Sequence, residues 1–392
     1  MTMDKVRLGI IGLGNMGSAH VKHILDGLIP NCVLGAVCDI DEAKLKKYAD
    51  QKCYADSAAM IRSGDVDAVL IATPHYFHTT IGIDALENGI HVLTEKPISV
   101  HKADCERLIA AHNAHPELVF AAMFNQRTDP HYLKIRQLVE TGELGELRRT
   151  NWIITDWFRT EAYYRSGGWR ATWAGEGGGV LLNQCPHNLD LFQWICGMPS
   201  AITAIGAVGK HHDIEVEDEV TALLEYPNGA TGVFVTTTSE APGTNRLEIV
   251  GTRGKLVCEG GKLIFTRNEI PMDRFSAETS SSFGKPETWT IDVPLSKPGN
   301  GEQHIGIKKN FVNAILRGEK LIAPAEEGIH SVELANAMIY SFMTGRRVEL
   351  PLDSALYEEH LKRLIADSRF VKKETVAADV DMSTSYNNNA GK

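Results

Sequence analysis

Hydrophobic and polar positions along the chain keep two different rhythms. Up to about residue 127, mostly apolar runs at 6–11, 33–39, 67–74, 91–94 and 119–124 alternate with segments of helical spacing around His20, Val21 and Ile24 and at 41–51, 57–64, 78–89 and 102–114. An apolar run without alternation is a strand buried on both faces, and strands separated by helices form a doubly wound parallel sheet. From residue 128 the rhythm changes. A helix at 131–141 is followed by a strand-like stretch at 148–158, an aromatic and glycine-rich stretch at 163–179, and a helix ending near Cys196. Between 201 and 295 the apolar positions alternate, as at 220–225 and 231–236, with hairpin-like breaks at Pro227–Asn228–Gly229 and Gly260–Gly261. Such alternation predicts a large, mainly antiparallel sheet covered on one face, and the open face predicts a homodimer or homotetramer. Helices are predicted at 305–317, 328–344 and 354–367.

The fold class is therefore α/β for residues 1–127 and α+β for 128–372, with 373–392 a flexible tail or arm. A length of 392 residues fits two cores better than one. With 43% hydrophobic and 23% charged residues, the chain has the make-up of a globular protein. A net charge of −10 without a basic cluster excludes nucleic acid as a partner. No apolar run reaches bilayer length, and the chain runs from Met1 into its first strand without a leader pattern. Seven cysteines without a CxxC pair read as thiols in a reducing compartment, the cytoplasm.

The first apolar run breaks at Gly12-x-Gly14-x-x-Gly17 before a helix. Gly12 permits the turn, Gly14 admits a pyrophosphate close to the backbone, and Gly17 lets helix and strand pack, with Asn15 and Met16 at the helix start. Asp39 ends the next run about 20 residues later, where an acid accepts the ribose hydroxyls and repels a 2′-phosphate. A Rossmann domain with NAD, rather than NADP, is expected. Thr73–Pro74, Glu95–Lys96–Pro97 and Asn125–Gln126–Arg127 lie at carboxyl ends of strands, where ligands bind in such sheets.

Four motifs in one order, Gly12-x-Gly14-x-x-Gly17 with Asp39, Thr73–Pro74 with His78, Glu95–Lys96–Pro97, and Gly177–Gly178–Gly179 leading to Asn183-x-x-x-His187-x-x-Asp190, resemble the Gfo/Idh/MocA family of glucose-fructose oxidoreductase and inositol dehydrogenase relatives. The resemblance implies NAD(P)-linked oxidation or reduction of a sugar or cyclitol hydroxyl, and a second domain whose open sheet makes subunit contacts. It maps the family's lysine to Lys96 and its histidine to His187. The family's acidic position is Asn183 here. Asparagine can hydrogen-bond a substrate hydroxyl but cannot take a proton. Asn183–Gln184–Cys185–Pro186–His187 is similar to members that oxidise C3 of pyranosides, levoglucosan dehydrogenase among them.

Alcohol oxidation needs a hydride acceptor and a base near working pH. His187 starts near that pH, whereas Lys96 needs a downward shift. The expected catalytic set is His187 as base, Lys96 polarising the substrate oxygen and Asn183 beside them, with the reverse assignment of Lys96 and His187 open. Pro186 fits a helix's first turn, which puts Asn183 near the cap and His187 near the start. Cofactor candidates are Gly12, Gly14, Asn15, Met16, Gly17, Asp39, Thr73, Pro74, His78, Glu95, Lys96, Asn125 and Arg170. Substrate candidates are Lys96, Tyr163, Arg165, Trp173, Asn183 and His187. Glu95 is read either as capping the cofactor end or as making structural hydrogen bonds. Trp169–Arg170 is either at the cofactor or substrate or in an aromatic packing cluster. Asp190 orients His187, contacts substrate, or has a helix-surface or capping role, and His304 reaches substrate or starts a helix. His75 with His78 and His211–His212 lack companions at metal-ligand spacing, so no metal is expected. The resulting function is an NAD-dependent dehydrogenase acting on a secondary hydroxyl of a pyranose sugar, glucoside or anhydrosugar. The alternatives are inositol dehydrogenase, an NAD-retaining glycosidase or lyase, and a non-catalytic sensor.

Overall fold

The computed structural model describes residues 4–297 and 299–373. Most of the arm expected at 373–392 lies outside them. The first sheet has the order β3-β2-β1-β4-β5-β6 and is parallel throughout. Its strands are β1 (Val6–Ile11), β2 (Cys32–Cys38), β3 (Cys53–Tyr54), β4 (Ala68–Ile71), β5 (His91–Thr94) and β6 (Phe120–Ala122). Between them lie α1 (Asn15–Leu25), α2 (Glu42–Leu45), α3 (Ser57–Ile61), α4 (Tyr76–Glu87) and α5 (Lys102–Asn113). Every residue of β4 is buried, as its unbroken apolar run requires of a strand covered on both faces. β1 and β4 lie side by side with β2 beyond β1, so the chain order reverses at the carboxyl end of β1, above which the glycine loop sits.

After α6 (Pro130–Glu140), β7 (Leu147–Ile154), α7 (Glu161–Arg165) and α8 (Pro186–Cys196), the chain forms β8 (Ala201–Val208), β9 (Glu217–Glu225), β10 (Thr231–Thr237), β11 (Asn245–Gly251), β12 (Gly254–Glu259), β13 (Lys262–Asn268), α9 (Met272–Glu278) and β14 (Thr288–Asp292). It closes with α10 (Gln303–Arg317), α11 (Gly328–Thr344), β15 (Val348–Glu349) and α12 (Ser354–Asp367). The second sheet has nine strands in the order β14-β13-β12-β11-β7-β10-β9-β8-β15. All neighbours are antiparallel except β7 and β10, since β7 enters from before the glycine-rich stretch and wedges between β10 and β11. Helices α8 and α11 help cover one face, and Ile205, Leu223 and Trp289 are exposed.

Two details depart from the sequence pattern. The short helix α9 interrupts the strands and turns expected between 201 and 295; none of its residues is buried, so no apolar stripe marks it. The expected boundary at 127 is crossed by α10, whose Ile307, Phe311 and Val312 pack into the first core, while Ala122 N donates to Ala323 O at 3.0 Å. The last third of the chain thus returns to brace the sheet that carries the glycine loop.

Candidate active site

Three glycines at the carboxyl end of β1 divide the work of the loop. Gly12 has φ +93°, and a Cβ there would stand 2.6 Å from Ala72 O, so both the turn and the neighbouring strand demand glycine. A Cβ on Gly17 would meet Gly12 O at 1.7 Å, so α1 is pressed against the loop it leaves. Around Gly14 nothing lies within 4 Å of the Cβ position, and it is exposed with Asn15 at the start of α1, Met16 half-buried beyond them. No side chain caps this helix end, so its first amides have no side-chain acceptor, the arrangement that receives a pyrophosphate.

Asp39 stands at the end of β2. Its Oδ2 accepts from Leu13 N at 2.7 Å, its Oδ1 from Asp41 N at 2.9 Å, and Lys44 Nζ lies 3.1 Å from Oδ2. Burial acts to raise its pKa, but these donors outweigh it and hold the carboxyl below the usual value. An ionised acid is therefore locked to the glycine loop itself. Thr73 Oγ1, beyond β4 and next to Pro74, and Asn125 Oδ1, beyond β6, are buried without a hydrogen-bond partner. A bare helix N-terminus, a fixed acid and orphaned polar atoms at the neighbouring strand ends fit a dinucleotide.

Lys96, just past β5, sends its Nζ across to Asn183 O at 2.9 Å. Asn183 Nδ2 in turn donates to Glu176 Oε1. Tyr163 Oη lies 3.4 Å from Asn183 Oδ1 and accepts from Arg170 Nη1 at 2.6 Å and Gln184 Nε2 at 3.1 Å. Donation runs in one direction, Arg170 to Tyr163 to Asn183 to Glu176, from a cation to a buried carboxyl. Pro186 occupies the first position of α8 and His187 follows it, as the proline's missing N–H favours. The His187 ring lies 6.4 Å from the Phe124 ring, and its Nδ1 is buried without a partner. Burial, then the Lys96 charge, pulls the His187 pKa well below its ordinary value, so the ring is neutral. Burial lowers Lys96 too, opposed by Glu95 and Glu176 and aided by Arg170 and Arg159. The arrangement offers one amine with donors to spare and one neutral imidazole with a free nitrogen.

Several expected residues turn out to hold the site rather than face it. Glu95 Oε1 pairs with His20 Nε2 at 2.8 Å and Oε2 accepts from Lys96 N at 3.2 Å; against burial, His20, His304 and Lys96 hold its carboxyl well below the usual range. His78 ties two site loops together, Nδ1 on Pro97 O at 2.8 Å and Nε2 on Thr73 O at 2.9 Å. Arg170 stacks over the rings of Tyr163 at 4.5 Å and Trp169 at 4.8 Å. Asp190 neither orients His187 nor lies on a helix surface: it is fully buried and receives Arg127 Nη2 at 2.6 Å and Nε at 2.8 Å. Trp173 belongs to the second hydrophobic core and its N bonds Glu215, not the Lys96 group. Arg165 is exposed, 3.7 Å from Glu161. His304, in the first turn of α10, stands 5.8 Å from the His20 ring. Glu176 and Gln184 join the site without having been singled out. A lone acid inside the apolar, glycine-rich stretch 175–180 was the available signal for Glu176.

Residues 6–123 match the oxidoreductase family with an NAD-binding Rossmann fold, and residues 132–257 match the GFO/IDH/MocA C-terminal domain. The chain belongs to the GFO/IDH/MocA family. As a member, it is an NAD-binding oxidoreductase. It is 28% identical over 273 residues to the myo-inositol 2-dehydrogenase of Thermotoga maritima, an alignment covering 65% of this chain and 75% of that one. It is 23% identical over 401 residues to the levoglucosan dehydrogenase of Pseudarthrobacter phenanthrenivorans, covering 90% and 100%. The WlbA dehydrogenase of Bordetella pertussis, solved with NADH and UDP-GlcNAcA, has the same fold, with a TM-score of 0.73 at 24% identity over 89% of this chain and 100% of that one. Among the described residues no helix is long and apolar enough to cross a membrane, and no three His, Cys, Asp or Glu groups gather as a metal site would require.

Proposed function

We propose that the protein oxidises a secondary hydroxyl, C3 of a pyranose sugar, glucoside or anhydrosugar such as levoglucosan, with NAD as acceptor. The observation that supports this is the 2.9 Å bond from Lys96 Nζ to Asn183 O, which ties the end of β5 to the turn before α8, where the His187 ring feels the Lys96 charge. The bound cofactor supplies the hydride acceptor. Lys96 polarises the substrate oxygen with the donors it does not spend on Asn183, and His187 takes the hydroxyl proton. Asn183 and Tyr163 contact neighbouring hydroxyls. Asn183 in place of an acid favours a pyranoside over an inositol, and the names of the relatives support the sugar or cyclitol class.

The uncovered face of the second sheet, with Ile205, Leu223 and Trp289 exposed, supports a homodimer or homotetramer. The seven unpaired cysteines support a cytoplasmic location. The test is NADH formation from NAD and a panel of levoglucosan, methyl glucosides, myo-inositol and UDP-GlcNAcA. Turnover of a pyranoside to its 3-keto product is expected. Turnover confined to inositols, cleavage of a glycosidic bond without net NADH, or no turnover at all would contradict the proposal, in favour of inositol dehydrogenase, a lyase or a sensor respectively.

A further inference from the structure

A chain of hydrogen-bonded side chains leads from Glu95, next to Lys96, to the half-buried His23. Glu95 Oε1 lies 2.8 Å from His20 Nε2, His20 Nδ1 lies 3.1 Å from Lys308 Nζ, and Lys308 Nζ lies 2.7 Å from His23 Nδ1. The links come from three separate segments: the turn after β5, the inner side of α1, and α10 returning from the far end of the chain. Glu95, His20 and Lys308 are buried, whereas His23 is half-buried beside exposed Lys22.

Lys308 is the unusual member. A buried lysine ordinarily has a carboxylate on its amine, as Lys102 has in Glu333 at 2.7 Å. Lys308 instead stands between two imidazoles, with Glu95 one ring further on. Burial pulls its pKa down to about 7, opposed by Glu95 and Cys32. Around it, His20 is lowered by burial against the pull of Glu95, His23 is lowered to about 4 by burial, Lys308 and His20, with Asp26 opposing and Lys22 adding, and His304 is lowered to about 3. An amine that exchanges its proton near neutrality, flanked by two neutral rings, can both accept and give a proton.

We propose that Glu95, His20, Lys308 and His23 are the path by which the proton of the oxidised hydroxyl leaves the cleft. This rests on the dehydrogenase reading above. In that oxidation the C–H bond leaves with its electron pair as hydride to the cofactor, the O–H bond breaks as C=O forms, and one proton remains on His187 or Lys96. Glu95 immediately precedes Lys96, accepts its backbone N–H, and its charge acts on both Lys96 and His187. Glu95 takes the proton and passes it to His20 Nε2 while His20 Nδ1–H moves to the neutral Lys308 amine. Lys308 gives a proton to His23 Nδ1, and His23 Nε2–H goes to solvent. Each group takes one proton and gives one, so nothing is consumed; His20 and His23 are left with their protons on Nε2 and Nδ1, and each ring returns to its other tautomer before the next turnover.

Two measurements on the full chain test it. Nitrogen-15 imidazole NMR without substrate follows the His23 titration: Glu95→Gln, three links away, is expected to move its midpoint by about half a pH unit, and an unmoved midpoint overturns the proposal. Steady-state turnover uses whichever sugar of the panel gives NADH. His23→Ala, at the half-buried end, and Lys308→Met, in the interior, are expected to lower kcat about 10-fold and to enlarge the solvent deuterium isotope effect. The His23→Ala loss should be recovered by rising concentrations of imidazole buffer, to which the parent is indifferent. Parental kcat in His23→Ala, or a loss that imidazole does not touch, overturns the path. A panel without turnover refutes the dehydrogenase reading, and the NMR arm still decides whether the four groups are coupled.

Discussion

In the cofactor half of the site, the groups that would meet a ligand are main-chain amides after β1 and one carboxylate fixed by main-chain donors; in the substrate half they are the side chains of Lys96, His187, Asn183 and Tyr163, braced by Glu176 and Arg170. The first is a site made by leaving atoms out, so it tolerates no added atoms. The second is a site made by adding side chains to a rigid frame, so truncation there removes chemistry while the frame stands. The segment 125–130 joins the two: Arg127 is bidentate to Asp190 on α8 and ion-paired to Glu327, and its guanidinium stacks over Trp194 at 5.1 Å.

The contrast breaks most visibly at the glycines. Gly17→Ala puts a methyl group into Gly12 O and is expected to cost about 3 kcal/mol or more of stability and to abolish NADH binding, measured by thermal unfolding and by fluorescence titration. Gly14→Ala, with open space at its Cβ, should fold like the parent and weaken NADH only. Equal destabilisation by both would show that the loop is not built as described. Next comes the junction. Arg127→Met strands Asp190 in the interior and is expected to cost about 3–5 kcal/mol in denaturant unfolding. A variant as stable as the parent would remove the junction from the account.

Smaller effects sharpen the same division. Asp39→Asn keeps an acceptor for Leu13 N but loses the charge, and NADH should bind about 10-fold more weakly while NADPH gains relative to it; unchanged affinity for both contradicts the ribose role. Asp129, which follows Arg127 and accepts from Gln303 Nε2, is pushed up to about 8 by burial, with Gln303 opposing. Its folded-state pKa lies above the unfolded one, so the folded state binds more protons between about pH 4 and 8 and stability falls as pH rises through that window. Asp129→Asn should therefore match the parent near pH 4 and become increasingly more stable than the parent as pH rises to 8. A constant difference across that range would assign Asp129 another role.

The same division explains what the sequence reveals. A site of omitted atoms leaves glycines at fixed spacing and an acid at the next strand end, all within 12–39, and in the fold Gly12 lies in the turn after β1, Gly17 against that turn and Asp39 bonded to Leu13 N. The unbroken runs of the first sheet and the alternation of the second follow from burial on two faces and on one. Side-chain networks leave no local trace. Glu176 reaches Asn183 around the turn before α8, and Lys308 meets His20 across most of the chain, so neither pairing has a period or a spacing to read. Asp190 is equally illegible, because its partner Arg127 lies on another element.

The central claim is that Lys96 and His187 act on substrate in a cleft whose cofactor half does not depend on them. The most direct test measures kcat and the NADH dissociation constant together in Lys96→Met and His187→Asn, with the sugar that the parent oxidises fastest. The account predicts that kcat falls by about 10²–10⁴-fold in each while NADH affinity stays within about threefold of the parent. Near-parental kcat in either variant, or a loss of rate matched by an equal loss of NADH affinity, would contradict it.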